Sequence, residues 1–214
     1  SQKRSGKNHW ILFQEKSKKT KINISEDKIN IAIFTNVLWD AKIHFKENVF
    51  DSCEDWVLKT IEIVKQYNLK NINLHIRVHP GEKKGFVKSR YFLAPLINNY
   101  NIKNKINFVK VYDSSDDINS YELAKKCDYS ICYASKIAFE LAAIGIKVIT
   151  TGDAWTRNKE ITHDIISKKE YIKTLTNINN SKYINTDNEN DFTNGYLARF
   201  TWHDGSQTAR DGLA

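Results

Sequence analysis

Two hydrophobic periods alternate along this chain. Lys28–Val37 (KINIAIFTNV) is a β-branched apolar run of the kind that a strand covered on both faces requires. From Ser52 the pattern changes: Trp56, Ile61, Ile63 and Val64 recur at helical spacing, with Ser52 as the N-cap. Asn73–Val78 (NLHIRV) predicts a second strand stopped by Pro80–Gly81. Phe86–Tyr100 is helical in character, with Pro95 as a kink or reset, and Lys105–Val111 (KINFVKV) predicts a third strand. After a polar loop at Asp113–Asn119, the pattern gives a short helix over Ser120–Lys126 and a fourth strand over Asp128–Tyr133. A helix over Ser135–Ile144 is closed by Gly145, and Lys147–Thr151 is a fifth strand. Residues 154–180 read as loop and short helices, 181–195 as an Asn/Asp-rich loop, and Tyr196–Trp202 as a last short helix.

Strands alternating with helices imply a mostly parallel sheet covered on both faces. With right-handed crossovers this is a doubly wound, Rossmann-like α/β domain. The expected organisation is a basic linker or extension over 1–27 with one apolar run at Trp10–Phe13, a single Rossmann-like domain over 28–202, and a tail over 203–214.

Composition narrows the functional classes. Hydrophobic residues make up 41% and aromatics 12% of the 214 residues, enough for a packed core. No run approaches the roughly 20 apolar residues of a membrane span, and no N-terminal signal-peptide pattern is present. The three cysteines contain no CxxC pair, which fits reduced thiols in the cytoplasm, and Cys132, inside a strand, reads as inert packing. His44, His75 and His163 lack metal-ligand spacing, and there is no HExxH, so no metal cofactor is expected. The chain starts at Ser1 and has no methionine, which suggests a processed product or, better, a piece of a longer protein. Thirty-three Lys+Arg against 25 Asp+Glu leave a net charge of +8, which favours anionic partners. No aromatic-interleaved RNA-binding signature accompanies it, so nucleic acid is not the expected partner.

In an open α/β sheet ligands bind beyond the carboxyl ends of the strands. The candidate segments are therefore Asn36–Asp40, His79–Glu82, Asp113–Ser120, Ala134–Ser135 and Gly152–Asp153. In Arg77-Val-His79-Pro80-Gly81-Glu82, a histidine fixed by proline beside a glycine either donates to a phosphate or carboxylate or caps a turn; Arg77 joins it if the strand ends early. Ala134-Ser135-Lys136 lies between a strand and a helix N-terminus, where backbone N–H groups and the Ser135 hydroxyl make either an anion site or a plain cap. Glu140, five residues into that helix, either binds a ribose diol or is a solvated surface glutamate. Tyr121, Tyr133 and Trp155 flank the crevice as stacking candidates, with core packing the default for Tyr133. Asp113, Asp116 and Asp117 form either a cation cluster or, more often for such runs, a solvated loop. The dinucleotide fingerprint, the P-loop and the GxSxG elbow are absent.

The segments RVHPGE and SSDDINSYELAKKCDYSICYASKIAFELAAIGIKVITTGDAWTRNKEITHDI, in that order, resemble the capsule polysaccharide biosynthesis family, which includes bacterial β-Kdo transferases. The resemblance covers roughly residues 28–202 and ends in NGYLARFTW, similar to the family's closing aromatic helix. It implies one half of a GT-B architecture, the C-terminal domain that binds the nucleotide sugar. By resemblance, His79 and Pro80 match the HP motif on the donor phosphate, and Asn119 and Ser120 the polar pair near the nucleotide. Ser135 matches the phosphate-side Ser/Thr and Glu140 the ribose glutamate. Trp155, Thr156 and Arg157 occupy the segment of a family Tyr-Arg-Gly, with Asn158 where the glycine would stand.

The implied activity is glycosyl transfer from a CMP-linked sugar such as CMP-Kdo to a saccharide or glycolipid acceptor. His79, the Ser135 helix N-terminus and Arg157 stabilise the leaving phosphate without metal. The acceptor-side base is expected in a missing N-terminal domain, with Asp40 and Glu82 as fallbacks; Lys136 and Arg77 complete the binding set. The expected location is the cytoplasm, at the inner membrane face if the basic arm reaches lipid. Two alternatives stand beside this reading. One is a CDP-glycerol or polyol-phosphate transferase sharing the HP motif; the other is a non-catalytic Rossmann-like interaction module.

Overall fold

The computed structural model describes residues 22–38, 48–84, 89 and 91–181. In chain order the elements are β1 (Ile29–Phe34), α1 (Cys53–Gln66), β2 (Ile72–Arg77), α2 (Gly81–Lys84), α3 (Leu93–Asn104) and β3 (Val109–Tyr112). They continue with α4 (Ser120–Lys126), β4 (Tyr129–Cys132), α5 (Ile137–Ala143), β5 (Val148–Thr150), β6 (His163–Asp164) and α6 (Lys168–Ser181). The sheet has six strands in the order β3-β2-β1-β4-β5-β6, and every pairing is parallel. This is the Rossmann-like α/β arrangement expected from the alternation of periods, with its reversal of strand order between β1 and β4.

Both sheet faces are covered, which explains the unbroken apolar run in β1. Ile29, Ile31 and Ile33 join Ile72, Leu74 and Ile76 of β2 against Trp56 and Ile61 of α1, Leu93 and Ile97 of α3, and Tyr171 and Leu175 of α6. Ala32 and Phe34 face the other way, with Tyr112 and Cys132, against Leu123 and Ala124 of α4 and Ala138 and Leu141 of α5. Ile22 is buried in this second cluster, and Lys126 Nζ donates to its carbonyl at 2.9 Å. Packing therefore starts several residues before β1.

Local signals set most of the boundaries. Ser52 Oγ accepts from Asp55 N at 3.0 Å, and Glu54 and Asp55 lie in the first turn of α1, complementing the helix dipole. Asn119 caps α4, its Oδ1 accepting from Tyr121 N at 2.8 Å and Glu122 N at 3.2 Å. Beyond α5 the chain turns at Gly145 with φ +81°.

Four boundaries correct the sequence reading. The helix expected from Phe86 starts at Leu93, which puts Pro95 in the first turn, where a missing N–H costs nothing. β3 starts at Val109 because Lys105 takes a left-handed conformation (φ 55°) to end α3. α5 starts at Ile137, and its N-cap is Lys136 rather than Ser135. Finally, Lys168–Ser181 is one helix of 14 residues where loop and short helices were expected. Its buried residues Tyr171, Leu175 and Ile178 do follow helical spacing, but the Thr and Asn residues between them have weak helix propensity. Tertiary contacts hold it: Tyr171 Oη lies 2.9 Å from Thr60 Oγ1 of α1, and its ring meets Phe50 edge-on at 5.4 Å. β6, at two residues, is too short to show a period.

Trp10–Phe13, Trp39, Asp40, His44, residues 182–195, Tyr196–Trp202 and the tail lie outside the described residues. Among the described residues no helix is long and apolar enough to cross a membrane.

Candidate functional site

Strand order reverses between β1 and β4, and the segments that follow these two strands are where an open α/β sheet places a ligand. Asn36 Nδ2 joins the two by donating to Ala134 O at 2.9 Å. Its Oδ1 is buried and meets no donor among the described residues.

The turn after β2 is built by its own sequence. Glu82 N donates to His79 O at 3.0 Å, closing a four-residue turn with Pro80 and Gly81 at its centre, where both are favoured. His79 N donates to Thr35 Oγ1 at 3.0 Å, fastening the turn to the end of β1. Gly81 N donates to His79 Nδ1 at 3.0 Å. A neutral imidazole whose Nδ1 accepts must carry its proton on Nε2, so His79 presents a donor there.

Glu82 and Arg77 turn inward. Glu82 is 1% exposed, and its Oε1 accepts from Leu93 N at 2.9 Å, the cap that Phe92 does not supply to α3. Burial pushes its pKa up, against the opposing effect of that backbone bond. Arg77 is 4% exposed; its Nη1 donates to Asp113 O and its Nη2 to Asp116 O at 3.1 Å. Burial lowers its pKa, opposed by Asp116, Asp113 and Asp117. The expected aspartate cluster is thus a loop folded on a buried cation. Within it Asp113 Oδ2 also pairs with Lys83 Nζ at 2.6 Å. Burial raises the Asp113 pKa, but the bonds from Lys83 and Ser114 outweigh it and hold the carboxyl below its ordinary range.

On the other sheet face, Asn119 and Ser120 open α4, and Tyr121 Oη donates to Glu140 Oε2 on α5 at 2.7 Å. The two helices that follow β3 and β4 therefore meet through a carboxylate in a fixed pose. Ser135 is half-buried ahead of α5 and Lys136 is exposed. Tyr133 is core: it stacks on Trp56 at 5.5 Å, and its Oη donates to Phe50 O at 2.7 Å. The Cys53 thiol, buried at the start of α1, is pushed up to about 12, and burial raises Cys132 further, so both are packing groups.

The loop after β5 is tied to its neighbours at both ends. Gly152 N donates to Tyr133 O at 2.9 Å, and Asp153 N to Asn48 Oδ1 at 2.9 Å. Arg157 Nη1 donates back to Gly152 O at 3.1 Å. Asn158, where the resemblance expects a glycine, has φ 61°, the left-handed region that asparagine enters more readily than most residues. Sequence reasoning missed the residue that organises this loop. Asp164 Oδ1 accepts from Thr150 Oγ1 and Thr162 Oγ1, both at 2.6 Å, and its Oδ2 accepts from Asn158 N at 2.7 Å. No motif signals such a role, because its partners come together only when β6 pairs with β5.

Gly152 is required for the close approach of β4 and β5. A Cβ there would lie 2.8 Å from Tyr133 O, 3.0 Å from Tyr133 C and 2.8 Å from Asn48 Oδ1. Gly152→Ala is expected to cost about 2 kcal/mol, since backbone cannot yield as a side-chain tip can. A lower urea midpoint at unchanged m would register it. A variant as stable as the parent would mean that the loops slide apart freely.

The turn after β2 thus fixes the His79 ring, and α5 carries a carboxylate held by Tyr121. The family model described as capsule polysaccharide biosynthesis protein matches residues 8–182. The chain belongs to the capsule polysaccharide biosynthesis family. Two solved structures are similar to this family member at low identity. One is the β-Kdo 2,4 transferase KpsC of Thermosulfurimonas dismutans, with 14% identity, TM-score 0.44, and coverage of 69% of this chain and 41% of that one. The other is ADP-heptose LPS heptosyltransferase II of E. coli, with 8% identity, TM-score 0.47, and coverage of 75% of this chain and 49% of that one. The chain thus spans less than half the length of either. No curated protein matches its sequence.

Proposed function

We propose that this chain is the donor-binding domain of a glycosyltransferase that assembles bacterial surface polysaccharide, taking a cytidine-linked sugar such as CMP-Kdo. The observation that carries the reading is the built His79–Pro80 turn beyond β2: His79 N is fastened to Thr35 Oγ1 at the end of β1 at 3.0 Å, and Gly81 N fixes the ring through Nδ1 at 3.0 Å, which places the imidazole proton on Nε2. Membership of the capsule polysaccharide biosynthesis family supports the same direction.

In the reaction the bond from the sugar's anomeric carbon to phosphate oxygen breaks, and its electron pair stays on the phosphate. Donors aimed at that oxygen favour the transition state over the ground state. His79, the Ser135 hydroxyl and Arg157 supply them, with Lys136 adding positive charge. Asn119 and Ser120 line the nucleotide side, and Glu140, oriented by Tyr121, accepts from the ribose hydroxyls. The acceptor is a saccharide or glycolipid, and its activating base comes from a second, N-terminal domain. The assembly works in the cytoplasm, at the inner face of the membrane.

Thermal unfolding of the chain with CMP, CDP, UDP and GDP tests this. A cytidine nucleotide at about 100 times its Kd is expected to add roughly 2.7 kcal/mol, with little from the others. His79→Ala is expected to weaken that binding about tenfold, one charge-assisted hydrogen bond, at nearly unchanged stability without ligand. No response to any nucleotide sinks the reading. A preference for CDP-glycerol over CMP would transfer it to polyol-phosphate transfer.

A further inference from the structure

We propose that Trp155 is a stacking platform for a pyranose ring, so that the loop after β5 holds a saccharide beside the crevice; naming that saccharide the acceptor rests on the donor-domain reading above. The starting observation is a mismatch between backbone and side chain. Ala154 (6% exposed) and Thr156 (1%) are both buried, while Trp155 between them is 74% exposed. A tryptophan so placed adds almost nothing to the core.

The loop that carries it is nonetheless tightly built. Arg157 N donates to Ala154 O at 2.9 Å and Lys159 N to Thr156 O at 3.2 Å, giving two successive turns with Trp155 inside the first. Asn48 anchors the near end and Asp164 the far end. Two non-glycine residues stand in the left-handed region, Asn158 (φ 61°) and Glu160 (φ 56°). A loop pinned at both ends that presents its largest apolar side chain to water holds that side chain ready for a contact.

The chemistry of the surroundings selects the ligand. A pyranose offers an apolar face of C–H groups ringed by hydroxyls. The indole supplies a flat apolar surface, and Asp153 and Arg157 lie two residues before and after it as acceptor and donor. Bonding of Arg157 Nη1 to Gly152 O at 3.1 Å restricts the guanidinium, so its other N–H groups are held in place. A nucleobase fits less well. Apart from Arg157, the groups assigned to phosphate and ribose follow β2, β3 and β4, whereas β5 lies beyond β4 on the side away from β1. The net charge of +8 favours an acidic saccharide over a neutral one.

The experiment is a titration of the 15N-labelled chain, with and without CMP, using trigalacturonate as the acidic probe and maltotriose as the neutral one. Its five tryptophans give separate indole N–H resonances, and the Trp155 signal is identified by its loss in Trp155→Phe. The expected result is a saturable shift of that resonance, larger with trigalacturonate. Trp155→Ala is expected to weaken saccharide binding about tenfold, in the range of single-face stacking losses, and Trp155→Phe much less. CMP affinity and melting temperature should stay unchanged in both variants. If neither saccharide moves the Trp155 resonance, or if Trp155→Ala binds saccharide as the parent does, the platform is wrong. Binding of CMP without saccharide overturns this inference and leaves the donor reading intact. Binding of saccharide without CMP does the reverse.

Discussion

Arg77→Leu is expected to lower the free energy of unfolding by about 3 kcal/mol, because it strips donors from two carbonyls in a partly buried loop. The guanidinium is 4% exposed and spans Asp113 O and Asp116 O. Leucine offers no donor, so each oxygen loses its charged partner and keeps only a backbone one, Asp116 N on Asp113 O at 3.0 Å and Ile118 N on Asp116 O at 2.9 Å; a hydrogen bond to a charged group is worth roughly 1.5–3 kcal/mol. It also removes the positive charge that Asp113, Asp116 and Asp117 favour. Lys83 would then be the near partner of Asp113, and that pair is about a third exposed and correspondingly screened. Arg77→Lys is not expected to rescue, since one ammonium cannot reproduce a forked contact to two carbonyls. Urea unfolding measures the loss. Amide exchange localises it: Ile118 N donates to Asp116 O at 2.9 Å inside the loop, and that N–H should exchange faster. An Arg77→Leu chain of parental stability that no longer binds nucleotide would reassign Arg77 to the ligand.

Arg77 shows where sequence reading stops. Its position at the end of the second strand was legible, and so was the chance that it faces a ligand. Whether a cation there meets a phosphate or a neighbouring loop depends on contacts 36 and 39 residues away in the chain. The parallel sheet was legible because a strand covered on both faces must be apolar at every position, and Ile29–Phe34 is buried throughout. The His79 turn was legible because proline and glycine restrict the backbone locally. The roles of Asn36, inside a candidate segment, and of Asp164 were not. Each is a common polar residue whose role appears only when distant loops meet, Asn36 with Ala134 across 98 residues and Asp164 with Thr150 across 14. α6 failed for a related reason: contacts with Thr60 and Phe50 outweigh its poor intrinsic propensity. Placement of His79, Ser135, Glu140 and Arg157 around one nucleotide is a proposal built on this frame, and nucleotide binding decides it.

Acid is expected to destabilise the fold through His75, by about 3 kcal/mol between pH 7 and pH 4. The imidazole is 5% exposed, on the sheet face of α4 and α5. Asn30 Nδ2 donates to Ser25 O at 2.8 Å and Lys28 O at 2.9 Å, which turns Asn30 Oδ1 towards His75 Nε2 at 3.0 Å. His75 Nε2 is therefore the donor, and Nδ1 accepts from Tyr112 Oη at 3.3 Å. The neutral ring is fully satisfied, whereas a second proton would point Nδ1–H at a hydroxyl already donating to it. Burial is the main cause of a pKa lowered from 6.5 to about 4, and Lys110 adds to it. Between these values the unfolded chain binds the proton and the native chain does not, so stability falls as pH drops through that window. Glu82, pushed upward by burial, acts in the opposite sense, since acid relieves its buried charge. His75→Gln separates the two: glutamine donates to Asn30 and accepts from Tyr112 but does not titrate. Urea unfolding across pH 4–7 should show a shallower slope for His75→Gln, by close to one proton near pH 5. Equal slopes would mean that His75 takes its proton at an ordinary pKa and that this buried network opens readily in the native state.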